Sequence, residues 1–249
     1  MTRPSEGPEP GAVAVIVPAY RAARTIGQVI ARVQRASPGA TVLVVDDGSE
    51  DDTAARAQAA GAAVASHERN RGKGCALATG LDAALALEGM RFAVTLDADG
   101  QHPPEAIPAL LAPLLAGAAD LVVGARRRAA DVMPRGRRFT NWLSSTLVSR
   151  ALGVRVPDSQ SGYRAMTREV AARVRPGGRR YEFETEFLFV ASEHGFRIGA
   201  VDIPTVYEGE ESHFRHVTDT LRLCAVFLRH WRRIVVSHAP RTTHPASSA

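Results

Sequence analysis

Short runs of β-prone apolar residues alternate with segments of helical periodicity through the first half of the chain. Residues 12–17 form such a run and are followed by helical spacing at 25–35, and the run at 41–45 is followed by the Ala-rich stretch 50–60. Because strands that alternate with helices form parallel sheets, this pattern predicts an α/β fold with a mostly parallel sheet and helices on both faces. In such sheets ligands bind beyond the carboxyl ends of the strands, so functional residues are expected there.

Two aspartates stand where the apolar run 92–96 stops. Asp97 and Asp99 are followed by Gly100, Gln101 and, after one more residue, two prolines. Residues i and i+2 of an extended chain point the same way, so the two carboxylates and the Gln101 amide are expected to converge. Oxygen ligands of this kind suit Mg²⁺ or Mn²⁺, which leave coordination positions open for substrate phosphates. The sequence therefore predicts a divalent metal site here, and the alternative is a solvated acidic turn.

Asp46 and Asp47 hold the equivalent position after the run 41–45. They are expected both to begin a helix-capping turn and to place Asp46 or Asp47 where it accepts hydrogen bonds from the base or ribose of a nucleotide. Residues 70–74 then read Asn-Arg-Gly-Lys-Gly before a helical segment, an arrangement that lets a phosphate approach a helix N-terminus. Lys73 is the only lysine among 31 Lys and Arg residues, which favours an ammonium selected to bind the nucleotide over a lysine placed by chance.

Basic residues exceed acidic ones, giving a formal net charge of +5, but their pattern argues against a nucleic-acid partner. No aromatic residues alternate with the arginines to stack on bases, and no nucleic-acid-binding motif is recognisable. Six arginines are concentrated in residues 126–138. The segment 127–137 is predicted to be a mobile loop that closes over the substrate, with a solvated linker as the alternative.

The chain of 249 residues is predicted to hold one domain at 12–237 between disordered tails at 1–11 and 238–249. At about 216–237, apolar residues recur at helical spacing with arginines among them, which predicts a basic amphipathic helix. This helix lies on a membrane surface or packs on the domain. Two distant cysteines, no apolar run of bilayer length and no signal peptide predict a cytoplasmic protein, either unattached or peripheral on the inner face of the cell membrane.

Eight short motifs occur in an informative order and spacing across residues 12–235. They read VPAY, VVDDGSEDDT, NRGKG, LDADGQHPP, GAR, DSQSGYR, YEFETEF and IPTVYEGEESHF. Together they resemble family 2 glycosyltransferases of GT-A fold, and among these the compact polyprenyl- or dolichyl-phosphate mannose and glucose synthases. The resemblance implies a metal-dependent, inverting transfer of a hexose from a nucleotide sugar, of the GDP-mannose or UDP-glucose type, to a polyprenyl phosphate.

The motif match, with the residues singled out above, assigns side chains to the donor, the metal and the chemistry. The nucleotide sugar would be bound by Pro18, Tyr20, Asp46, Asp47, Lys73, Asp97 and Ala98. The metal would be bound by Asp97, Asp99 and Gln101, and the catalytic group would be Asp99, Arg126, Arg138, Arg164 and Glu184. Asp158 and Gly162 match the acceptor-side element that also contains Arg164. One departure concerns the base: family members commonly have Asn-Glu after the first-strand tyrosine, whereas this chain has Arg21-Ala22.

The acceptor is inferred from acid–base chemistry. A phosphate monoester is already anionic at neutral pH and needs no general base, whereas a sugar hydroxyl needs a positioned carboxylate. Arg126, Arg138 and Arg164 are therefore expected to bind an acceptor phosphate and support the leaving diphosphate. The alternatives are transfer to a hydroxyl of a glycan or small metabolite with Glu184 or Glu186 as base, and a basic binding protein without catalysis. On a simpler interpretation, these glutamates are surface charges at the start of a helix predicted at 181–194.

Overall fold

A computed structural model describes residues 8–9, 11–126, 135–178, 182–204 and 230, with the backbone alone described for 135–143. Within these residues seven strands form one sheet. They are β1 (Val13–Ala19), β2 (Thr41–Asp46), β3 (Ala63–Ser66), β4 (Phe92–Thr95), β5 (Leu121–Arg126), β6 (Arg164–Thr167) and β7 (Ile198–Ile203). Their order across the sheet is β3-β2-β1-β4-β6-β5-β7, and every pairing except those made by β6 is parallel.

The helices cover both faces of this sheet. They are α1 (Ile26–Ala36), α2 (Thr53–Ala59), α3 (Lys73–Leu85), α4 (Ile107–Leu115), α5 (Arg135–Leu152), α6 (Arg168–Arg173) and α7 (Glu182–Glu193), with a 3₁₀ turn at Pro104–Ala106. One core cluster joins alternate residues of β1 to α1, α2 and α4, and the other joins the intervening residues to α3, α5, α6 and α7. All seven residues of β1 are buried, as expected of a central parallel strand with helices on both sides.

β6 is the element that brings the second half of the chain to the strand ends. It runs antiparallel to both neighbours and pairs Arg164 with Thr95 on β4 and with Val123 on β5. Because its direction is reversed, the loop before β6 arrives at the same edge where the parallel strands finish. The sequence analysis assigned no strand to β6 or β7 and no helix to α6.

Several helices begin or continue at residues other than those predicted from the sequence. The sequence of residues 105–115 predicts a helix interrupted at Pro108 and Pro113. The structure instead has a 3₁₀ turn at Pro104–Ala106 followed by one helix, α4, with Pro108 in its first turn and Pro113 inside it. The prediction was wrong because four buried side chains, Ile107, Leu110, Leu111 and Leu114, outweigh the roughly 3 kcal/mol cost of an internal proline. α3 begins at Lys73, two residues earlier than expected. α5 begins at Arg135, so residues 135–137 of the predicted mobile loop are helical.

Several predictions fall outside the part of the chain that the structure describes. These are residues 127–134 of the predicted loop, the C-terminal tail, nearly all of the N-terminal tail, and the basic helix at 216–237 except His230. His230 is helical and buried. None of the described helices combines the length and the apolar character needed to cross a bilayer.

Candidate active site

The carboxyl ends of β1, β2, β4 and β5 and the start of β6 form one edge of the sheet, and most of the predicted site residues lie there. Asp46 ends β2 and Asp47 follows it, Asp97 lies two residues beyond β4, and Arg126 ends β5. Arg164, the first residue of β6, reaches this edge from the opposite chain direction. The sheet thereby collects residues separated by more than 100 positions in sequence.

Lys73 lies at the centre of the site, between two carboxylates. Its Nζ is 2.7 Å from Asp97 Oδ1 and 2.9 Å from Glu184 Oε1. Burial by itself would lower the pKa of Lys73, but the charges of Asp97 and Glu184 outweigh burial and raise it well above its ordinary value. Burial would likewise raise the pKa of Asp97, yet the Lys73 charge lowers it to about 2. Lys73 and Asp97 are therefore both charged at neutral pH.

Gly162 makes room for this ion pair. A Cβ at that position would lie 2.7 Å from Lys73 Nζ and 2.9 Å from Asp97 Oδ1, closer than real Cβ atoms approach such groups. Its carbonyl accepts a 2.7 Å hydrogen bond from Thr95 Oγ1, which fixes the backbone against β4. A larger residue at position 162 would therefore force the ends of the Lys73 and Asp97 side chains to move apart from the loop.

The chain turns at Ala98 and Asp99 immediately after Asp97. The two aspartates are therefore not presented from one extended strand, as the sequence analysis expected. The Ala98 carbonyl accepts a 2.7 Å hydrogen bond from Thr25 Oγ1, and Asp99 Oδ1 accepts a 2.9 Å bond from the Gln101 N–H. The turn is anchored both to the start of α1 and within itself.

The carboxylate and amide oxygens at this turn are ligands of the type that Mg²⁺ and Mn²⁺ prefer. The described residues contain no cluster of three or more His, Cys, Asp or Glu side chains of the sort that encloses a metal. These cations, however, use one or two carboxylates and complete their shells with water and substrate phosphates. Asp99 and Gln101 are half-buried oxygen donors at the sheet edge, and Asp97 is partly exposed beside them. The metal site at Asp97, Asp99 and Gln101 stays a prediction.

His102 is a site residue that the sequence analysis did not select. Its Nδ1 accepts a 3.4 Å hydrogen bond from the Asp97 N–H, and its ring lies 5.2 Å from that of Tyr163. Burial lowers its pKa to about 4, so the ring is neutral at pH 7 and its 3.7 Å approach to Asp97 Oδ2 is not an ion pair there. The QHPP sequence was the available signal, because a histidine between a candidate ligand and two prolines is held close to the turn.

Two arginines meet the loop that precedes β6, in different ways. Arg126 Nε donates a 2.7 Å hydrogen bond to Asp158 Oδ2, and the Arg126 side chain remains partly exposed. Arg164 is buried and donates to the carbonyls of Ser161 at 2.9 Å and Ser159 at 3.1 Å, with its guanidinium over the Phe187 ring. Burial lowers the Arg164 pKa to about 10, which leaves it charged. Arg164 therefore supports the loop from inside, whereas Arg126 lies at the open edge.

Arg138, the third predicted arginine, belongs to α5, and its side chain lies outside the described part of the structure. Asp158, which holds Arg126, is itself buried. Its second carboxylate oxygen, Oδ1, has no hydrogen-bond partner among the described residues. Asp158 thus fixes the direction of the Arg126 side chain with a single carboxylate oxygen.

Some of the residues predicted to bind the nucleoside make hydrogen bonds within the protein, and others are exposed at the sheet edge. Asp47 is buried and accepts hydrogen bonds from the N–H groups of Arg71 at 2.9 Å and Gly72 at 2.8 Å, and His67 Nδ1 lies 2.7 Å from its Oδ1. Asp46 accepts a 3.2 Å bond from the Ser49 N–H, which closes a turn after β2 without capping α2, whose N-cap residue makes no side-chain cap hydrogen bond. The contacts of both aspartates with a nucleotide therefore stay predictions, and their described oxygens already stabilise turns.

Tyr20, 44% exposed, follows the buried residues of β1, which include Pro18. Arg21 next to it has φ of +53°, a left-handed conformation that no other described non-glycine residue adopts. The Arg21 N–H donates to Ser49 Oγ at 2.9 Å, and its guanidinium reaches Glu50 at 2.8 Å and lies 5.2 Å from the Tyr20 ring centre. The two residues that replace the usual Asn-Glu thus join the loop after β1 to the loop after β2.

The glutamates at the start of α7 are not surface charges. Glu184 and Glu186 are 2% and 4% exposed, so that interpretation was wrong. Glu184 faces a small internal cavity that is also lined by Arg164, Phe183 and Phe187. Glu186 Oε2 accepts a 2.7 Å hydrogen bond from the Gly178 N–H. Helical spacing places residues 183, 184 and 187 on one face of α7. Because this face includes two phenylalanines, the burial of Glu184 could have been predicted from the sequence.

The sequence is similar to a family and to named relatives. Residues 14–175 match the family model described as Glycosyl transferase family 2. The chain is 31% identical over 217 residues to the UDP-N-acetylglucosamine–dolichyl-phosphate N-acetylglucosaminyltransferase of Methanococcus voltae, with 78% of this chain and 85% of that protein covered. It is 32% identical over 209 residues to the polyprenol monophosphomannose synthase of Mycolicibacterium smegmatis, with 79% and 77% covered.

The fold is similar to that of a solved enzyme. The crystal structure of glucosyl-3-phosphoglycerate synthase from Mycobacterium tuberculosis, in complex with Mn²⁺, UDP and glucosyl-3-phosphoglycerate, superposes with a TM-score of 0.73 at 25% identity. The match covers 93% of this chain and 86% of that one. The α/β fold of GT-A type predicted from the sequence is thereby confirmed.

Proposed function

The chain belongs to glycosyltransferase family 2, and from that premise we propose that it moves a hexose from a nucleotide sugar to a polyprenyl phosphate with the help of Mg²⁺ or Mn²⁺. Transfer is proposed to invert the anomeric carbon, since attack by the acceptor phosphate on the side opposite the nucleoside diphosphate forms the new bond directly. The leaving group is the nucleoside diphosphate.

The observation that carries this choice of acceptor is the state of Glu184. Its carboxylate is buried and paired with Lys73 at 2.9 Å, so it is not presented to an acceptor hydroxyl as a general base. Glu186 is also buried and accepts the Gly178 N–H. With the carboxylates of Glu184 and Glu186 engaged in the protein, an acceptor that arrives already ionised suits the site best, and a phosphate monoester is such an acceptor.

The relatives support the same acceptor. Two of those described above are named for dolichyl phosphate and polyprenol monophosphate, and each aligns over more than three quarters of this chain. The solved neighbour instead binds glucosyl-3-phosphoglycerate, a product of transfer to a small metabolite. Transfer to a hydroxyl of a phosphorylated metabolite is therefore the second candidate function.

The proposed roles follow from the geometry at the sheet edge. Asp99 and Gln101 would bind the cation with Asp97 beside them, and the bound cation would neutralise charge on the departing diphosphate. Arg126, held by Asp158 at 2.7 Å, supplies a fixed positive charge at the same edge. The acidic pKa of Asp97, about 2, keeps this carboxylate ionised for its role throughout the physiological pH range.

A polyprenyl acceptor lies in a membrane, which gives the C-terminal basic segment a role in the proposal. We propose that residues 216–237 contact anionic headgroups from the cytoplasmic side and bring the site to the lipid phosphate. Within this segment His230 contacts α7, with Nδ1 2.7 Å from Glu193 Oε1. That contact would hold the segment against the domain at one point.

A direct assay tests the proposal. Purified protein is incubated with radiolabelled GDP-mannose or UDP-glucose, Mn²⁺ or Mg²⁺, and either polyprenyl phosphate or 3-phosphoglycerate. The expected result is an organic-extractable product that forms with polyprenyl phosphate and disappears with EDTA. Asp99→Asn is expected to lower kcat at least about 100-fold, whereas Asp52→Asn, on an exposed residue at the start of α2, is expected to leave it unchanged. A water-soluble product alone would instead establish the second candidate.

A further inference from the structure

We propose that Lys73 is a positioning residue that couples the donor edge of the sheet to α7, and that it acts through Asp97 and Glu184 instead of binding the nucleotide phosphates itself. The terms donor side and acceptor side rest on the proposed function. The contact among α3, the turn after β4 and α7 can be tested without substrate.

The contact joins parts of the chain that no other ion pair in the described residues joins. Lys73 is the first residue of α3, Asp97 follows β4, and Glu184 lies in the first turn of α7. The ammonium lies within 2.9 Å of an oxygen of each carboxylate. One side chain thereby connects the proposed donor site with the helix that stands behind the acceptor-side loop.

Burial makes this connection strong. Glu184 is 2% exposed, and neither of its carboxylate oxygens has a hydrogen-bond partner among the described residues, so the ammonium 2.9 Å from Oε1 compensates its charge as an ion pair. A buried carboxylate without a compensating charge is strongly destabilising, and removal of one partner costs more than the intact pair contributes. Loss of Lys73 would also leave Asp97 and Glu184 facing each other without an intervening positive charge.

Hydrogen bonds also fix the backbone immediately before Lys73. Asp47 accepts the N–H groups of Arg71 and Gly72, the two residues immediately before it. Gly72 has φ of +97°, a conformation that a glycine adopts without strain and that starts α3 in the direction of the site. Contacts therefore run without a break from β2, through the turn at 71–72 and Lys73, to Asp97 and Glu184.

The space around the ammonium selects lysine over arginine. A Cβ on Gly162 would lie 2.7 Å from Nζ, so the loop backbone closes directly over the amine. A planar guanidinium is wider than an ammonium and cannot enter without moving this loop. The only lysine in the chain thus stands where the backbone of Gly162 leaves little room for a wider cationic group.

Three variants, Lys73→Met, Glu184→Gln and the double variant, test the coupling by thermal unfolding without ligands. Lys73→Met is expected to lower Tm by about 10 °C, because it leaves a buried carboxylate unpaired. Adding Glu184→Gln removes that charge and is expected to restore at least about half of the lost Tm, which is non-additive behaviour. Lys73→Arg is expected to lower Tm about as much as Lys73→Met, because the guanidinium keeps the positive charge but is too wide for the space around the amine.

Kinetics of the double variant separate positioning from a merely structural role. With stability restored but Asp97 left without its partner, kcat is expected to fall at least about tenfold while KM for the nucleotide sugar changes less than about threefold. A phosphate ligand would behave otherwise, with nucleotide affinity lost and no effect of Glu184→Gln on Tm.

The inference is overturned if Lys73→Met melts within about 2 °C of the wild type, or if the double variant melts no higher than Lys73→Met. It is equally overturned if the double variant retains full kcat. Because the melting experiments contain no sugar, lipid or metal, they decide the coupling even if the lipid-phosphate assay fails. In that case the kinetic comparison is made with whichever acceptor supports transfer.

Discussion

Single residues at the sheet edge are held by interactions that leave little room for substitution. Asp47 uses both carboxylate oxygens within the protein, Lys73 is enclosed by two carboxylates, and Gly162 allows the loop to close over them. In each case a polar group is removed from water, so its partner decides whether burial stabilises or destabilises the fold. Substitutions that change one atom are therefore informative here.

Gly162→Ala is expected to lower kcat at least about tenfold and to destabilise the protein by about 1–3 kcal/mol, because the added methyl group overlaps the Lys73–Asp97 pair. The measurements are steady-state kinetics and urea unfolding. Gly27→Ala is the matched control: it lies in α1 with nothing within 4 Å of the new Cβ, so it is expected to be neutral or slightly stabilising. Equal behaviour of the two variants would contradict the steric argument.

Asp47→Asn is expected to destabilise the protein by about 1–3 kcal/mol, since an amide cannot accept hydrogen bonds at both positions where Arg71 and Gly72 donate. The change is measured by chemical denaturation without ligands. Asp52→Asn provides the control, because Asp52 is exposed and makes no side-chain cap hydrogen bond to α2. A variant that loses nucleotide affinity at full stability would assign Asp47 to the nucleoside alone.

His102 predicts a pH dependence. Its pKa is lowered from 6.5 in the unfolded chain to about 4 in the fold, mainly by burial, so the unfolded state binds more protons between these values. Its contribution therefore lowers the free energy of unfolding as pH falls from about 6.5 to about 4, by roughly 3 kcal/mol in all. In His102→Asn this part of the slope is expected to vanish when metal-free unfolding is compared across that range. Parallel curves for the two proteins would refute the assignment.

At the scale of elements, most strands and helices were predictable, including α7, whereas β6, β7 and α6 were not. The strand runs at β1, β2 and β4 contain consecutive apolar residues, a pattern that predicts buried parallel strands without any tertiary information. β6 has four residues and includes the charged Arg164, whose burial depends on carbonyls in its own preceding loop. No local pattern reports such a long-range compensation, so the strand and its reversed direction were missed.

The site shows the same division. The acidic turn after β4 was visible because its carboxylates are adjacent in sequence to a strand end. The pairing of Lys73 with Glu184, 111 positions later, depends on how α7 packs against the sheet. The QHPP sequence indicates that His102 lies close to the acidic turn, but its burial and its hydrogen bond from the Asp97 N–H depend on tertiary packing, and His102 was therefore missed.

The start of α1 carries a prediction at this scale, because it anchors the acidic turn. Thr25→Val removes the hydroxyl that donates to the Ala98 carbonyl at 2.7 Å and is expected to lower kcat several-fold, with a stability loss of about 1 kcal/mol. Thr25→Ser keeps the hydroxyl and is expected to retain most of the activity. If Thr25→Ser is as impaired as Thr25→Val, packing of the methyl group and not the hydrogen bond anchors the turn.

At the scale of the whole molecule, one histidine ties the C-terminal segment to the domain. His230 is buried, stacks on Phe189 at 5.5 Å, and places Nδ1 2.7 Å from Glu193 Oε1 and Nε2 3.5 Å from Glu186 Oε1. This contact favours packing on the domain at position 230, whereas the membrane role of the helix predicted at 216–237 stays a proposal.

His230→Ala is expected to destabilise the protein by about 2–4 kcal/mol through loss of a buried ring and its carboxylate contacts. Urea unfolding measures the loss of stability. His194→Ala, at an exposed position immediately after α7, serves as the control. Sedimentation with anionic vesicles then shows whether the loosened segment binds lipid more or less strongly. Unchanged stability would mean that the segment does not depend on this anchor.

The reversed direction of β6 makes the site depend on both ends of the described chain. The nucleoside is proposed to bind at Pro18, Tyr20, Asp46 and Asp47, all of which precede β4, whereas the loop before β6 and the whole of α7 come after residue 152. The ion pair between Lys73 and Glu184 joins these two portions. A change of charge at one end of this pair is therefore expected to be tolerated only with a matching change at the other end.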